Sequence, residues 1–214
     1  MDNISENTKK ILYVFPYWNT FIKDDFTIIE DQAYPLRFGN RHNILIPFYL
    51  LRQLILILLR LRTTTRILIQ FGGYHSLIPV LLGYLFRKEI YIIVHGTDAC
   101  SFKEINYGIL RKKLLRAFCA LSYRYCTKIL PVSQSLIHTQ NTYFKKEETY
   151  TFGLLHEFPT LDKHKFVVVH NGLKTEKWAF HKRAPNKTFI SVAGGQSLGH
   201  LRKGIDLIIN NAQH

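Results

Sequence analysis

Short, continuously apolar segments alternate along the chain with segments of helical spacing, and this alternation limits the possible folds more than any other feature. The strand-like segments are Ile11–Phe15, Arg66–Phe71, Ile90–Val94, Lys128–Val132, Phe166–His170 and Thr188–Ala193. Because their apolar residues are continuous rather than alternating, both faces of each strand are expected to be buried. Strands of this kind separated by helices are typical of a parallel sheet with helices on both sides. The sequence therefore predicts an α/β fold built on a doubly wound parallel sheet.

The segments with helical spacing fall between these strands. They are Phe21–Ala33, Ile44–Arg62, Leu77–Phe86, Asn106–Arg124, Gln134–Phe144 and Gly204–Ile209. The second contains the longest apolar stretch of the chain, which Arg52, Gln53 and Arg60 interrupt. A bilayer span needs about 20 nearly uninterrupted apolar residues. The pattern therefore favours a buried or half-buried helix over a membrane span.

Composition changes near residue 174 and indicates a domain boundary. Residues 1–173 contain most of the strand and helix patterns, residues 174–187 are polar and read as a linker, and residues 188–214 hold one strand and one helix. A single strand and helix cannot bury both faces of a sheet. The sequence is therefore expected to stop inside a second domain, and the chain is expected to be a fragment.

The chain is strongly basic, with 29 Lys and Arg against 15 Asp and Glu. Such a charge favours anionic partners such as nucleic acid, acidic lipid or phosphorylated substrates, although a basic solvated surface explains it equally well. The three cysteines form no CxxC pair, which argues against a disulfide scaffold or a zinc ribbon. The first ten residues are polar and lack the pattern of a secretory signal peptide. A cytoplasmic location is expected.

Ligands of open parallel sheets bind at the carboxyl ends of the strands. In this sequence that rule selects the residues that directly follow a predicted strand. They are Tyr17, Trp18 and Asn19; Tyr74 and His75; His95 and Asp98; Ser133; and Asn171 and Gly172. Any one of these histidines could equally be a hydrogen-bonded loop residue.

A glycine-rich loop, Gly194–Gly204, follows the last predicted strand. Its glycines would let backbone amides approach a phosphate, and Arg202 and Lys203 could neutralise a diphosphate. The loop matches neither a P-loop nor the GxGxxG pattern. Taken alone, it is as typical of a plain flexible loop as of a phosphate site.

The order of four motifs resembles the family 4 glycosyltransferases, which have the GT-B fold of two Rossmann-like domains. The motifs are PVSQSL at 131–136, VVHNG at 168–172, the strand FISVAG at 189–194 and RKGIDLII at 202–209. HGTD at 95–98 is similar to the histidine loop of that family. The resemblance covers most of residues 10–214. It implies that residues 1–173 are the acceptor-side Rossmann-like domain and that residues 188–214 begin the nucleotide-sugar domain.

The resemblance also implies a function. Family members are retaining transferases that move a sugar from a nucleotide sugar to an acceptor, here a glycan or a lipid-linked acceptor in surface polysaccharide synthesis. The nucleotide sugar is a substrate, and no cofactor or metal is expected. His95 would be the catalytic residue, beside the transferred sugar. The other expected contacts are Arg202, Lys203, Gly194, Asn171, Gly172 and Ser133 with the donor, and Tyr17, Trp18, Asn19, Tyr74, His75 and Asp98 with the acceptor. The family's paired glutamates would lie beyond residue 214, so this chain is expected to be inactive alone.

The predicted helix Asn106–Arg124 suggests a second kind of partner. Lys112, Lys113, Arg116 and Arg124 fall with Tyr123 in an arc of roughly 120°. Such a face suits peripheral contact with an anionic membrane, at its inner surface, or it is simply solvated. A basic α/β domain that binds nucleic acid or membrane without catalysis therefore stays open as an alternative, as does an inactive interaction domain. Nucleic acid is not the expected partner, because no helix-turn-helix, RNP or zinc-finger pattern is present.

Overall fold

The computed structural model describes residues 10–39, 43–145 and 148–172, together with the helical positions Ile205, Ile208 and Ile209. Five parallel strands form its main sheet. They are β1 (Ile11–Phe15), β2 (Ala33–Arg37), β3 (Arg66–Gln70), β4 (Glu89–Val94) and β5 (Lys128–Pro131), in the spatial order β2-β1-β3-β4-β5. The four helices that connect them are α1 (Thr20–Ile29), α2 (Ile46–Arg60), α3 (Tyr74–Leu85) and α4 (Lys113–Tyr125). The predicted α/β fold with a parallel sheet is confirmed, and the topology is Rossmann-like.

Alternate residues of β1 enter different cores. Leu12 and Val14 belong to the larger core, which α2, α3 and α4 cover. Tyr13 and Phe15 point to the other side and pack in a smaller aromatic core under α1. This alternation follows from the two-residue period of a strand. Helices therefore lie on both faces of the sheet, with α1 on the opposite face from α2, α3 and α4.

The structure differs from the predicted elements in several places, the first of which is strand β2. The helix predicted over Phe21–Ala33 ends at Ile29, and the following residues form β2 at the edge of the described sheet. Proline within a strand normally argues against that strand, and Pro35 is tolerated here because β2 is an edge strand.

The helix predicted over Asn106–Arg124 is the second difference. It begins only at Lys113, after a short 3-10 turn over Ile109–Arg111. Gly108 has a φ of 90°, which a right-handed helix cannot accommodate. Upstream of it, Phe102 and Tyr107 pair with each other across a turn.

The third difference concerns the helix predicted over Gln134–Phe144. Only one 3-10 turn, Gln134–Leu136, is present, and an antiparallel hairpin of β6 (Thr139–Lys145) and β7 (Glu148–Phe152) follows. Threonine and aromatic residues in this segment favour a strand. A short helix, α5 (Leu154–Glu157), comes after the hairpin.

The predicted strand Phe166–His170 is extended but is not a complete strand. The N–H groups of Val167 and Val169 donate to Ile129 O and Pro131 O, each at 3.0 Å. Phe166 also forms a parallel bridge with Ile129. The segment therefore lies along β5 in the direction expected for a further parallel strand.

The chain divides into two compact units, one of Met1–Ser101 and Gly108–His170 and the other of Phe102–Tyr107 and Asn171–His214. The predicted linker 174–187 and strand Thr188–Ala193 lie outside the described residues, so the proposed domain boundaries stay predictions. Ile205, Ile208 and Ile209 are helical, as predicted for Gly204–Ile209. Among the described helices, none has the length and apolar character needed to cross a membrane.

Candidate functional site

His95 directly follows β4, and its side chain is held by Gln70 at the end of β3. The distance between His95 Nε2 and Gln70 Oε1 is 2.7 Å. The amide nitrogen of Gln70 donates to Tyr13 OH and to Asp25 Oδ2, each at 2.8 Å. Tyr13 OH in turn donates to Ile22 O at 3.3 Å, which fixes the tyrosine oxygen as the acceptor from Gln70. Because the amide nitrogen of Gln70 points to Tyr13 and Asp25, its oxygen Oε1 faces His95 and accepts a hydrogen bond from it. The proton of a neutral His95 ring is therefore on Nε2.

Two aromatic rings flank the imidazole of His95. The ring centroid of Phe71 lies 4.4 Å away and that of Phe21 lies 4.9 Å away. Removal of the ring from water lowers the pKa of His95 to about 4. At neutral pH the ring is therefore uncharged, and Nδ1 carries a lone pair that can accept a hydrogen bond. In the described part of the chain, no group donates to that nitrogen.

We expect His95 to stay neutral, with its proton on Nε2, from neutral pH down to about pH 4. An unfolded chain protonates this histidine near pH 6.5, so the folded state binds fewer protons between these values and loses stability as the pH falls through that window. Nitrogen–proton correlation spectra of the labelled imidazoles measure both properties. His95→Gln identifies the signal by its loss. A titration midpoint near 6.5, or a proton on Nδ1, would contradict the assignment.

The neighbours of Gln70 are perturbed by the same burial. Burial raises the pKa of Tyr13 far above its usual value, so the phenol stays protonated. Burial also raises the pKa of Asp25, while the hydrogen bond from Gln70 acts in the opposite direction. The result is a chain of polar groups from Asp25 through Gln70 to His95 that ends on a neutral imidazole.

This cluster lies at the place where the strand order of the sheet reverses. From β1 the chain moves to β2 on one side, and it then returns to β3 on the other side. In open α/β sheets the crevice at such a reversal, outside the carboxyl ends of the strands, is where ligands bind. Gln70 ends β3, His95 follows β4, and Asp25 and Phe21 come from the helix after β1.

The backbone at Phe71 is strained. Its φ is 67°, a left-handed value that bulky residues seldom adopt and that costs on the order of 1 kcal/mol. Its N–H still donates to Ile93 O at 2.9 Å, so the pairing of β3 with β4 extends to this residue. The left-handed turn directs the phenyl ring onto His95, and it lets Gly72 and Gly73 follow in a tight connection to α3.

Asp98 is fully buried and joins the ends of β3 and β4. Its Oδ2 accepts from Gly72 N–H at 2.8 Å, and its Oδ1 accepts from His95 N–H at 3.1 Å and from Gly96 N–H at 3.2 Å. Tyr123 OH on α4 donates to the Asp98 carbonyl at 2.9 Å. The carboxylate of Asp98 thus holds the ends of β3 and β4 together, and its predicted contact with an acceptor stays a prediction.

His75 is also buried. Its Nε2 lies 2.7 Å from Gln70 O, and Gln53 Nε2 donates to the His75 carbonyl at 2.9 Å. Burial lowers the pKa of His75 to about 4. Tyr74 is half-buried, and its ring packs edge-on against Phe118. The contacts of both side chains in the structure are with the protein, and their predicted contacts with an acceptor stay predictions.

The loop after β1 divides into one exposed and two structural residues. Asn19 caps α1, because its Oδ1 accepts from Ile22 N–H at 2.9 Å. Trp18 packs on Phe15, with ring centroids 4.1 Å apart. Tyr17 is exposed. Of the three predicted acceptor contacts in this loop, Tyr17 is the most exposed, and Trp18 and Asn19 are half-buried.

The structure describes only some of the residues that are predicted to contact the donor. Ser133 comes after β5 and is the N-cap of the 3-10 turn Gln134–Leu136. Its Oγ accepts from Ser135 N–H at 3.3 Å. Asn171 and Gly172 are exposed. Gly194, Arg202 and Lys203 lie outside the described residues. These donor roles stay predictions.

The predicted basic face of helix α4 is partly exposed. Lys112, Lys113 and Arg124 are exposed. Tyr123 is fully buried, and Arg116 pairs with Glu157 while its guanidinium lies 5.1 Å from the ring of Phe158. On the buried side of α4, Cys119 and Tyr123 meet the loop at Gly72, and Ser122 Oγ lies 2.7 Å from Ser76 Oγ on α3. Contact of this face with a membrane stays a prediction.

An open cleft of about 850 Å³ lies beside the segment that extends β5. It is lined by Gln134, Ile137, His138, Leu155, Pro159, Lys163, Phe166 and Val168. It contains none of the predicted site residues. Among the residues the structure describes, no group of three or more His, Cys, Asp or Glu side chains could hold a metal ion.

Sequence reasoning selected His95 but missed its partners Gln70, Tyr13, Asp25 and Phe71. One signal for Gln70 was present, because it is the single uncharged polar residue of the apolar segment RILIQF and only Phe71 separates it from Gly72 and Gly73.

Comparison with known proteins adds no identification. No model of a known protein family matches the chain. No curated protein matches it either.

Proposed function

We propose that this chain supplies the acceptor side of a retaining glycosyltransferase. The enzyme would move a sugar from a nucleotide sugar to a glycan or lipid-linked acceptor in surface polysaccharide synthesis. The observation that carries the proposal is the environment of His95. A neutral imidazole, oriented by Gln70 and flanked by two rings, stands at the strand-order reversal with Nδ1 available. The order of the sequence motifs supports the same family.

The reaction breaks the bond between the anomeric carbon and the diphosphate, and a hydroxyl of the acceptor takes the place of the diphosphate on the same face of the sugar. His95 Nδ1 would accept a hydrogen bond from a hydroxyl of the transferred sugar. Its partner Gln70 would keep the proton of the ring on Nε2, so that Nδ1 stays unprotonated and can accept the hydrogen bond. Aromatic rings beside His95 would pack on the apolar face of the sugar.

The leaving diphosphate gains negative charge as the bond breaks. In this proposal Arg202 and Lys203 stabilise that charge, together with backbone amides of the loop that contains Gly194. Asn171, Gly172 and Ser133 would line the donor side, and Tyr17 would contact the acceptor. The nucleotide sugar is the substrate, and the reaction needs no further cofactor.

The test is a transfer assay on the longest natural protein that carries this chain. The protein is incubated with nucleotide sugars that differ in base and in hexose, with glycan and lipid-linked acceptors, and release of nucleoside diphosphate is measured. We expect one donor to be consumed with formation of a glycosylated acceptor. Absence of both donor binding and consumption across all bases and hexoses would contradict the proposal and favour a non-catalytic basic domain.

A further inference from the structure

Helix α2 turns an apolar face to solvent. Five large apolar side chains on one side of it are between 46 and 74% exposed, namely Phe48, Leu51, Ile55, Leu58 and Leu59. At 100° per residue they occupy an arc of about 100°. Gln53, on the opposite side, is buried. A helix that only covers a core has polar residues on its outward side, and an apolar outward side of this kind is typical of a surface that binds another molecule.

Helix α3 enlarges the same kind of surface. It packs against α2. Its residues Leu81, Tyr84 and Leu85 are 40–70% exposed. We call these three residues, with the five of α2, the α2–α3 apolar face. Single exposed apolar residues are normal on a protein surface, whereas eight on two packed helices are typical of an interaction site.

The charge around this face identifies the chemistry of its partner. From residue 32 to residue 88 the sequence has eight Lys and Arg and no Asp or Glu. Arg62 follows α2 and Arg87 follows α3, and both are exposed. Two copies of this segment would repel each other, which disfavours a homodimer through this face. An apolar surface that is bordered by Arg62 and Arg87 complements the anionic headgroups and acyl chains of a lipid surface.

We propose that the α2–α3 apolar face binds the surface of an anionic membrane. With 15 residues, α2 is about 22 Å long, too short to cross a bilayer, so it lies in the plane of the interface. Its apolar residues enter the boundary between headgroups and acyl chains, and Arg62 and Arg87 contact lipid phosphates. This inference does not depend on the proposed transferase activity, and its surface is different from the α4 face considered in the sequence.

Vesicle flotation tests the proposal with the chain itself. We expect the protein to float with vesicles that contain phosphatidylglycerol, to float poorly with pure phosphatidylcholine, and to dissociate at high salt. The double variant Phe48→Glu/Leu59→Glu should lower partitioning by at least about 10-fold, since it removes two inserted side chains and adds two repelled charges.

Ile28→Glu is the matched control. Ile28 is 77% exposed on α1, which lies on the other face of the sheet. Ile28→Glu should leave the partitioning of the protein into vesicles unchanged. Circular dichroism should show that all variants are folded. Equal flotation of the double variant and the wild type, or equal binding to neutral vesicles, would overturn the proposal. So would a dimer that the double variant dissociates while no vesicle binds, because the face would then join two copies.

Discussion

Replacement of Asp98 by alanine is expected to lower the free energy of unfolding by about 4 kcal/mol. The carboxylate accepts from three backbone N–H groups at the ends of β3 and β4, those of Gly72, His95 and Gly96. Each buried donor left without a partner costs about 1–3 kcal/mol, and water can reach some of them after truncation. Chemical denaturation of the wild type and the variant measures the difference.

Two further variants make this test specific. Asp98→Asn keeps one acceptor oxygen but turns an amide group toward another N–H, so an intermediate loss is expected. Asp31 is exposed just after α1, and Asp31→Ala should change the free energy of unfolding by no more than about 0.5 kcal/mol. If Asp98→Ala is as stable as Asp31→Ala, the carboxylate does not join the two strand ends.

For the proposed transferase, His95→Ala is expected to lower kcat by about 100-fold or more, with a smaller effect on the KM for the donor. The reason is that the hydrogen bond to Nδ1 strengthens as charge develops on the transferred sugar, so its loss acts on the transition state more than on donor binding. Steady-state kinetics on the longest natural protein measures both constants. A decrease of about 1–3 kcal/mol in the free energy of unfolding is also expected, because the buried oxygen Gln70 Oε1 loses its hydrogen-bond donor.

His95→Gln and His156→Ala serve as comparisons. Glutamine can still donate to Gln70 Oε1 but lacks a nitrogen in the Nδ1 position, so it should be nearly as slow as alanine. His156 is exposed on α5, and its replacement should leave kcat unchanged. Wild-type kcat in His95→Ala would remove the catalytic assignment, whereas the membrane proposal would be unaffected.

The elements that the sequence predicted well are those with a buried, continuous pattern. Strands β1, β3, β4 and β5 and helices α2 and α3 lie close to their predicted bounds, because burial on both sides of a parallel sheet leaves few polar residues in the strands. Strand β2 was missed because an edge strand can contain proline. The late start of α4 was missed because a glycine with positive φ precedes it, and sequence alone does not show the sign of φ.

The candidate site could also be predicted only in part. His95 could be selected because it follows a strand, and that rule needs only local sequence. The residues around His95 could not be predicted, because Gln70 binds Tyr13 and Asp25, which are 57 and 45 residues away in the sequence. Such convergence depends on the order and register of the strands. For the same reason, the sequence did not show that Asp98 and His75 bind backbone groups at the ends of β3 and β4.

Pro35 also lowers the tendency of newly made chains to aggregate through the edge strand β2. Phe38 N–H points inward to Phe15 O, and donors alternate along a parallel strand, so position 35 faces away from β1. A proline there deprives the outer edge of its central donor, and Arg52 Nη1 occupies the outward carbonyl of Arg37 at 3.2 Å. An open strand edge is a template for aggregation, and this one lacks its central donor and has one of its acceptors occupied. Partly folded copies are therefore expected to pair less readily through this side of the sheet.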